Sequence, residues 1–294
     1  MAPSLKEAAE SSFFNRKDHI QRFQRGVVTF FDGYFAKVIK RLIAARQIHG
    51  WDLNSPLARS PEHAGVFQDL AWLSRHIAAE ERGRLVPYGV RREDERALPA
   101  SEIGSLELMM SQGVKGCLSW KGKPLFKTVY DFALAPLMLW ELKPATIFEI
   151  GSGVGVSAKW YADLAREFGL PTRIYSADIE PVTDTCPGVD FSAGDCNNPP
   201  TLFGAALLAS APKPWLVVED AHVNVESVLR FLHRHLSPGD YLMIEDSGAK
   251  VRELDEFMEV NGRDYAVDTR YTDFFGRNAT SAQNAILRRV ERSA

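Results

Sequence analysis

The stretch Ile147-Phe148-Glu149-Ile150-Gly151-Ser152-Gly153-Val154-Gly155 constrains the fold of this chain more than any other. A β-prone run over 145–150 ends on three glycines at alternate positions, and a helical pattern follows at once. This is how an α/β nucleotide-binding sheet begins. The glycines make a tight turn after the first strand and let backbone approach a ligand at a helix N-terminus. The spacing is G-x-G-x-G, whereas dinucleotide folds use G-x-G-x-x-G. With Glu149 just ahead, it suits an adenosine ligand that carries no pyrophosphate.

Strands and helices then alternate, the pattern of a parallel sheet covered on both faces. The strands are expected over 145–150, 173–177, 189–193, 215–218 and 241–244, with a closing pair over 265–268 and 284–290. Val154, Ala158, Tyr161, Ala165 and Phe168 stripe the helix after the glycines. Ahead of the first strand, Val129, Phe132, Ala133, Leu137 and Trp140 recur at helical spacing, and Pro136 is expected to kink or divide that helix. The fold class is therefore Rossmann-like α/β, mostly parallel with a terminal antiparallel strand. Residues 1–110 read as a helical N-terminal extension, a cap or an oligomerisation arm, and 111–294 as the main domain. Ile20, Phe23, Val27, Phe31 and Phe35 carry the first helical stripe.

With 35 basic and 38 acidic residues the formal charge is −3, which favours neither nucleic acid nor an anionic membrane as partner. The three cysteines form no C-x-x-C pair, so neither a disulfide framework nor a zinc cage is indicated. The start of the sequence has no apolar signal core, and no apolar run is long enough to span a bilayer. A soluble, cytoplasmic homo-oligomer acting on a small molecule is the expectation.

Four expected strands end in carboxylates: Asp178, Asp195, Glu219 with Asp220, and Glu245 with Asp246. In a doubly wound sheet, ligands bind at those strand ends. Asp178 is placed to accept the ribose hydroxyls of an adenosine ligand, and Asp195 to face its adenine side or to cap a turn. If the strands that end in Glu219 and in Glu245 with Asp246 are neighbours, the three acids converge and would repel one another without a cation. All-oxygen ligation selects Mg²⁺ (or Ca²⁺) over zinc. His222, three residues after Glu219, is a candidate general base or a plain loop histidine.

Together these stretches resemble the cephalosporin hydroxylase family, whose cephamycin-pathway members are class I, Mg-dependent S-adenosylmethionine methyltransferases. The likeness is carried by Lys127-Thr-Val-Tyr-Asp-Phe132, Phe148-Glu-Ile-Gly-Ser-Gly-Val-Gly-Val-Ser157, Tyr175-Ser-Ala-Asp-Ile179 and Gly194-Asp-Cys-Asn197. It continues through Val218-Glu-Asp-Ala-His222, Leu236-Ser-Pro-Gly-Asp-Tyr-Leu-Met-Ile-Glu-Asp246 and Asn278-Ala-Thr280, over about residues 111–290. The resemblance implies that Glu149, Gly151, Ser152, Gly153, Gly155, Asp178 and Asp195 hold S-adenosylmethionine. It implies that Glu219, Glu245 and Asp246 hold Mg²⁺, although the first of these positions is more often Asp in the family. The segment after Thr280 departs from the family pattern. The implied activity is metal-assisted O-methylation of a small secondary metabolite. Alternatives are an accessory cofactor-binding partner of an oxygenase, or methylation at nitrogen or carbon.

Overall fold

A computed structural model of the protein describes residues 83–95, 100–180 and 182–291. The helices expected within 1–82 lie outside the described residues.

The described chain runs β1 (Leu85–Pro87), α1 (Tyr88–Asp94), α2 (Ser105–Met110), a small hairpin of β2 (Ser119–Trp120) and β3 (Lys123–Pro124), and α3 (Val129–Leu142). There follow β4 (Thr146–Ile150), α4 (Val156–Glu167), β5 (Arg173–Asp178), β6 (Val189–Ala193), α5 (Ala205–Ser210), β7 (Trp215–Glu219) and α6 (Val225–His233). The chain closes with β8 (Tyr241–Ile244), α7 (Val251–Asn261), β9 (Tyr265–Asp268), α8 (Thr269–Thr272) and β10 (Ile286–Arg289). Eight strands form one sheet in the order β1-β9-β10-β8-β7-β4-β5-β6. Strands β8, β7, β4, β5 and β6 pair in parallel, and β10 slots antiparallel between β8 and β9.

Apolar strand sequences dictate where the core sits. Every residue of β4, β7 and β8 is buried, as expected for parallel strands covered on both faces. Phe148 on β4 touches the rings of Tyr175, Phe203 and Trp215. On α6, Val225, Val228, Leu229 and Leu232 turn inward, following their helical spacing.

The chain leaves β4 towards β5 and β6 on one side, then returns to β7 and β8 on the other. The crevice of such a sheet lies at this reversal, above the carboxyl ends of the strands. Hydrogen bonds continue past the strands and tie the exit turns together: Gly151 N to Ala177 O, Asp220 N to Ile150 O, and Glu245 N to Glu219 O.

Two expectations need correction, the division at Pro136 and the apolar stripes. Helix α3 runs unbroken through Pro136, and its buried residues include Leu134, Ala135, Met138 and Leu139. Val129 and Trp140, from the expected stripe, are exposed. The helix is apolar almost all round, so periodicity alone does not select a face. Val154 is likewise exposed and precedes the helix. One compact unit runs from Arg84. Leu85–Pro87 extends the sheet along β9, and Arg84 Nε and Nη2 each lie 2.7 Å from a carboxylate oxygen of Asp268. A three-residue strand is too short to show alternation in sequence.

Candidate active site

A cavity of about 460 Å³ opens above β4, β5 and β7, walled by their exit turns and by the segment Pro124–Lys127 that leads into α3. Gly151 has φ 96°, and a Cβ added there would stand 2.7 Å from the carbonyl carbon and oxygen of Asp220 and 2.8 Å from Ala221 N. The turn after β4 therefore lies directly against the turn after β7, and only glycine fits. Gly153, with φ 50°, donates its N–H to Asp178 Oδ2 at 2.8 Å. This locks the glycine loop to the end of β5. Ser152 Oγ meets Ser176 Oγ at 2.6 Å, and Ser176 in turn donates to Glu149 Oε2 at 2.5 Å.

Gly151, Ser152, Gly153, Asp178 and Asp195 all line the cavity. Asp195 also caps its own turn, accepting from Asn197 N at 2.8 Å. Two expected cofactor residues do not line it. Glu149 is buried beneath the loop, where desolvation raises its pKa. Gly155 supplies packing room, since a Cβ there would meet the Phe191 and Val182 side chains at 2.9 Å.

The acids after β7 and β8 sort into two groups. Asp220, His222 and Asp246 each bring one donor atom within 4.8 Å of the others. His222 Nε2 is 3.4 Å from Asp220 Oδ1 and 3.3 Å from Asp246 Oδ2. Donation to the Asp220 carboxylate raises the imidazole pKa. Burial, then the neighbouring Asp220 charge, raises that of Asp246.

The second group is neutralised by lysines. Glu219 is fully buried, with Lys250 Nζ 2.8 Å from Oε2 and Ala221 N donating to Oε1 at 3.0 Å. Lys127 Nζ reaches Glu245 Oε2 at 2.5 Å and Asp220 Oδ2 at 3.1 Å. Burial opposes the Lys127 ammonium, but Glu245 and Asp220 outweigh it and raise its pKa. Burial raises Glu245 against the pull of Lys127. Glu245 Oε1 is buried and has no hydrogen-bond partner.

The expected trio of Glu219, Glu245 and Asp246 therefore does not converge on one point. Glu219 points into the protein and is committed to Lys250; Asp220, one residue on, is the residue that turns to the cluster. Side chains alternate faces along a strand, so a one-residue change of register exchanges core for site. The donor set suits a divalent cation: two carboxylates in repulsive proximity and an imidazole at their edge.

The chain is similar to several known proteins. The family model described as Rhamnosyl O-methyltransferase/CmcI matches residues 112–188. A rhamnosyl O-methyltransferase of Mycobacterium bovis (strain BCG / Pasteur 1173P2) is 26% identical over 190 residues, covering 58% of this chain and 77% of that protein. The Mycobacterium leprae (strain TN) protein of the same description is 28% identical over 138 residues, covering 44% and 60%. Among solved structures, an apo-structure of CmcI has 26% identity and a TM-score of 0.53, covering 61% of this chain and 78% of that one. A CmcI structure with Mg and SAM has 27% identity and a TM-score of 0.51, covering 59% and 77%.

The chain is a class I methyltransferase.

In this methyltransferase the two halves of the site come from opposite sides of the topological reversal. The glycine loop and Asp178 follow β4 and β5, and the acid cluster follows β7 and β8. Two residues escaped sequence reasoning. Asp220 was visible as a strand-end acid, but the register of Val218-Glu-Asp-Ala-His222 favoured Glu219. The family's preference for Asp at the first metal position was the usable signal. Lys127 lies far upstream in sequence and is brought in by the approach to α3. Its only trace was its place in the Lys127-Thr-Val-Tyr-Asp-Phe132 match.

Proposed function

We propose that this methyltransferase transfers a methyl group from S-adenosylmethionine to a hydroxyl oxygen of a small metabolite, with a divalent cation, Mg²⁺ or a close substitute, held by the acid cluster. One observation carries the reading: Asp220 belongs both to the wall of the glycine-loop cavity and to the cluster with His222 and Asp246. Donor site and acid cluster thus share a residue. The O-methyltransferase descriptions of the mycobacterial relatives support oxygen as the methylated atom. The CmcI structure with Mg and SAM supports the pairing of donor and cation.

When bound, S-adenosylmethionine supplies an electrophilic methyl group, and the cation supplies positive charge that favours ionisation of a nearby hydroxyl. The protein supplies position and proton transfer. Gly151, Ser152 and Gly153 offer a backbone cradle, and Asp178 and Asp195 offer carboxylates for the ribose and adenine ends. Asp220 and Asp246 would hold the cation. His222, at the exposed edge of these acids, takes the proton of the acceptor hydroxyl at one ring nitrogen. The cluster's oxygens favour an acceptor with two adjacent oxygens, such as a diol or hydroxy acid.

The free thiols Cys117, Cys186 and Cys196 support a reducing, cytoplasmic setting. Among the described residues no helix is long and apolar enough to cross a membrane. Self-association through the phenylalanines at 30, 31 and 35 belongs to the same reading and is measured by light scattering.

The deciding experiment measures methyl transfer from labelled S-adenosylmethionine to a panel of hydroxylated metabolites, sugars included, before and after chelation. The expected result is transfer to oxygen that stops with EDTA and returns with Mg²⁺ or Mn²⁺. Transfer undiminished after thorough chelation would remove the cation's role. A product methylated at nitrogen or carbon would remove O-methylation.

A further inference from the structure

Lys127 stands apart from the other lysine in the strand-end acid region. Lys250 makes a one-to-one buried pair with Glu219, away from the cavity. Lys127 is shared between two acids, Asp220 and Glu245, and its own residue lines the cavity. Its side chain is only 3% exposed. The ammonium is placed by the turn into α3: Lys127 N donates to Leu125 O at 2.9 Å, and Thr128 next to it caps the helix through Asp131 N. It takes one oxygen of each acid. The second oxygen of Asp220 faces His222, and that of Glu245 has no partner.

Lys127 sets one positive charge against Asp220, an acid of the cluster, and shares it with Glu245. Without Lys127 these acids present more net negative charge, and attraction for any cation rises with that charge.

We propose that Lys127 is a positioning residue that sets the charge of this cluster: it holds Asp220 and Glu245 in place and fits the site to a single divalent ion. The inference rests on the reading of Asp220 and Asp246 as a cation site. Lys127 is thus a built-in competitor for the acids, present before any ion arrives. It keeps the empty cluster from flying apart and keeps the bound ion exchangeable.

The test titrates Mn²⁺, and separately Tb³⁺, into wild type, Lys127→Met and Lys127→Arg, without methyl donor or acceptor, by calorimetry. Circular dichroism and melting in EDTA accompany each titration. Lys127→Met is expected to bind Mn²⁺ about tenfold more tightly or better, with a larger gain for Tb³⁺. It should melt lower in EDTA and gain more from Mn²⁺ than wild type does. Lys127→Arg, which keeps the charge, should stay within about threefold of wild type for both ions. If Lys127→Met is unfolded in EDTA, Mn²⁺ must restore its circular dichroism; failure to do so overturns the proposal. A folded Lys127→Met with unchanged or weaker Mn²⁺ binding, beside a wild type that does bind, overturns the role of Lys127 alone. Binding by Lys127→Met and not by wild type supports it. No binding by either protein overturns the cation site and this inference with it.

Discussion

His222 Nε2 lies 3.3 Å from Asp246 Oδ2, although the two residues leave different strands, β7 and β8. Both have left-handed backbones, φ 57° for His222 and 48° for Asp246. Each strand thus turns sharply at its end and throws one polar side chain back over the sheet edge. A left-handed non-glycine residue carries a backbone cost, and the cost is borne at both of these turns.

Asp246→Asn removes the cluster's charge without changing its shape. It is expected to lower methyl transfer by about 100-fold or more and to weaken Mn²⁺ binding, with S-adenosylmethionine affinity within about threefold of wild type. Calorimetric titration of each ligand separates the two effects. Equal loss of both affinities would mean that the cluster supports the donor cavity as a whole.

Glu219→Gln should behave differently, because Glu219 is paired to Lys250 in the interior. Removing one partner of a buried ion pair costs about 3–5 kcal/mol, so the urea midpoint should fall sharply. The folded fraction should bind Mn²⁺ as wild type does. Replacing both residues, Glu219→Leu with Lys250→Met, should restore most of the stability, since no buried charge is then left alone.

Asp163 on α4 gives a pH-dependent prediction far from the cluster. Burial raises its pKa, but hydrogen bonds from Lys121, Trp120 and Arg166 outweigh that and bring it to about 2. Its folded pKa lies below the unfolded value of about 3.9. The stabilisation is therefore complete above about pH 4 and is lost as the pH falls towards about 2. Asp163→Asn should cost about 1–2 kcal/mol at neutral pH, and chemical unfolding should show the gap from wild type closing through that acid window.

Gly151→Ala and Gly153→Ala separate two uses of glycine in one loop. The first places a Cβ 2.7 Å from backbone of the turn after β7, which cannot yield without moving Asp220. It should destabilise the fold and lower both donor and Mn²⁺ affinity. The second meets no atom within 4 Å, and its φ of 50° costs an L-residue only about 1 kcal/mol. Its melting temperature should fall by a few degrees at most, and any larger effect should appear in S-adenosylmethionine affinity alone.

The parallel strands were legible because their hydrophobic runs are interrupted by glycine, proline and acids at regular intervals. The strand ends at Asp178, Ala193 and Ile244 fall where the sequence predicts them. The glycine loop was legible because its backbone needs are specific to glycine. Register within Val218-Glu-Asp-Ala-His222 was not, because both Glu219 and Asp220 are strand-end acids and only the third dimension shows which one meets Lys250. The same holds for Lys127, whose partners follow β7 and β8, and for Leu85–Pro87, whose partner β9 lies near the other end of the chain. Local pattern records what a residue needs from its neighbours in sequence, and these residues take their meaning from distant ones.

Strand β10 gives the molecule an order of completion. Ala285, just before it, accepts from Ile244 N at 3.0 Å, and Ser281 accepts from Ser247 N at 3.1 Å, on either side of the turn bearing Glu245 and Asp246. A chain emerging from the ribosome meets its glycine loop and Asp178 early, and strands β4 to β8 can pair as they appear. The turn that presents Asp246 is not braced until residues 281–289 have been made. A nascent chain can therefore shape the place for a methyl donor well before it can complete the acid cluster beside it.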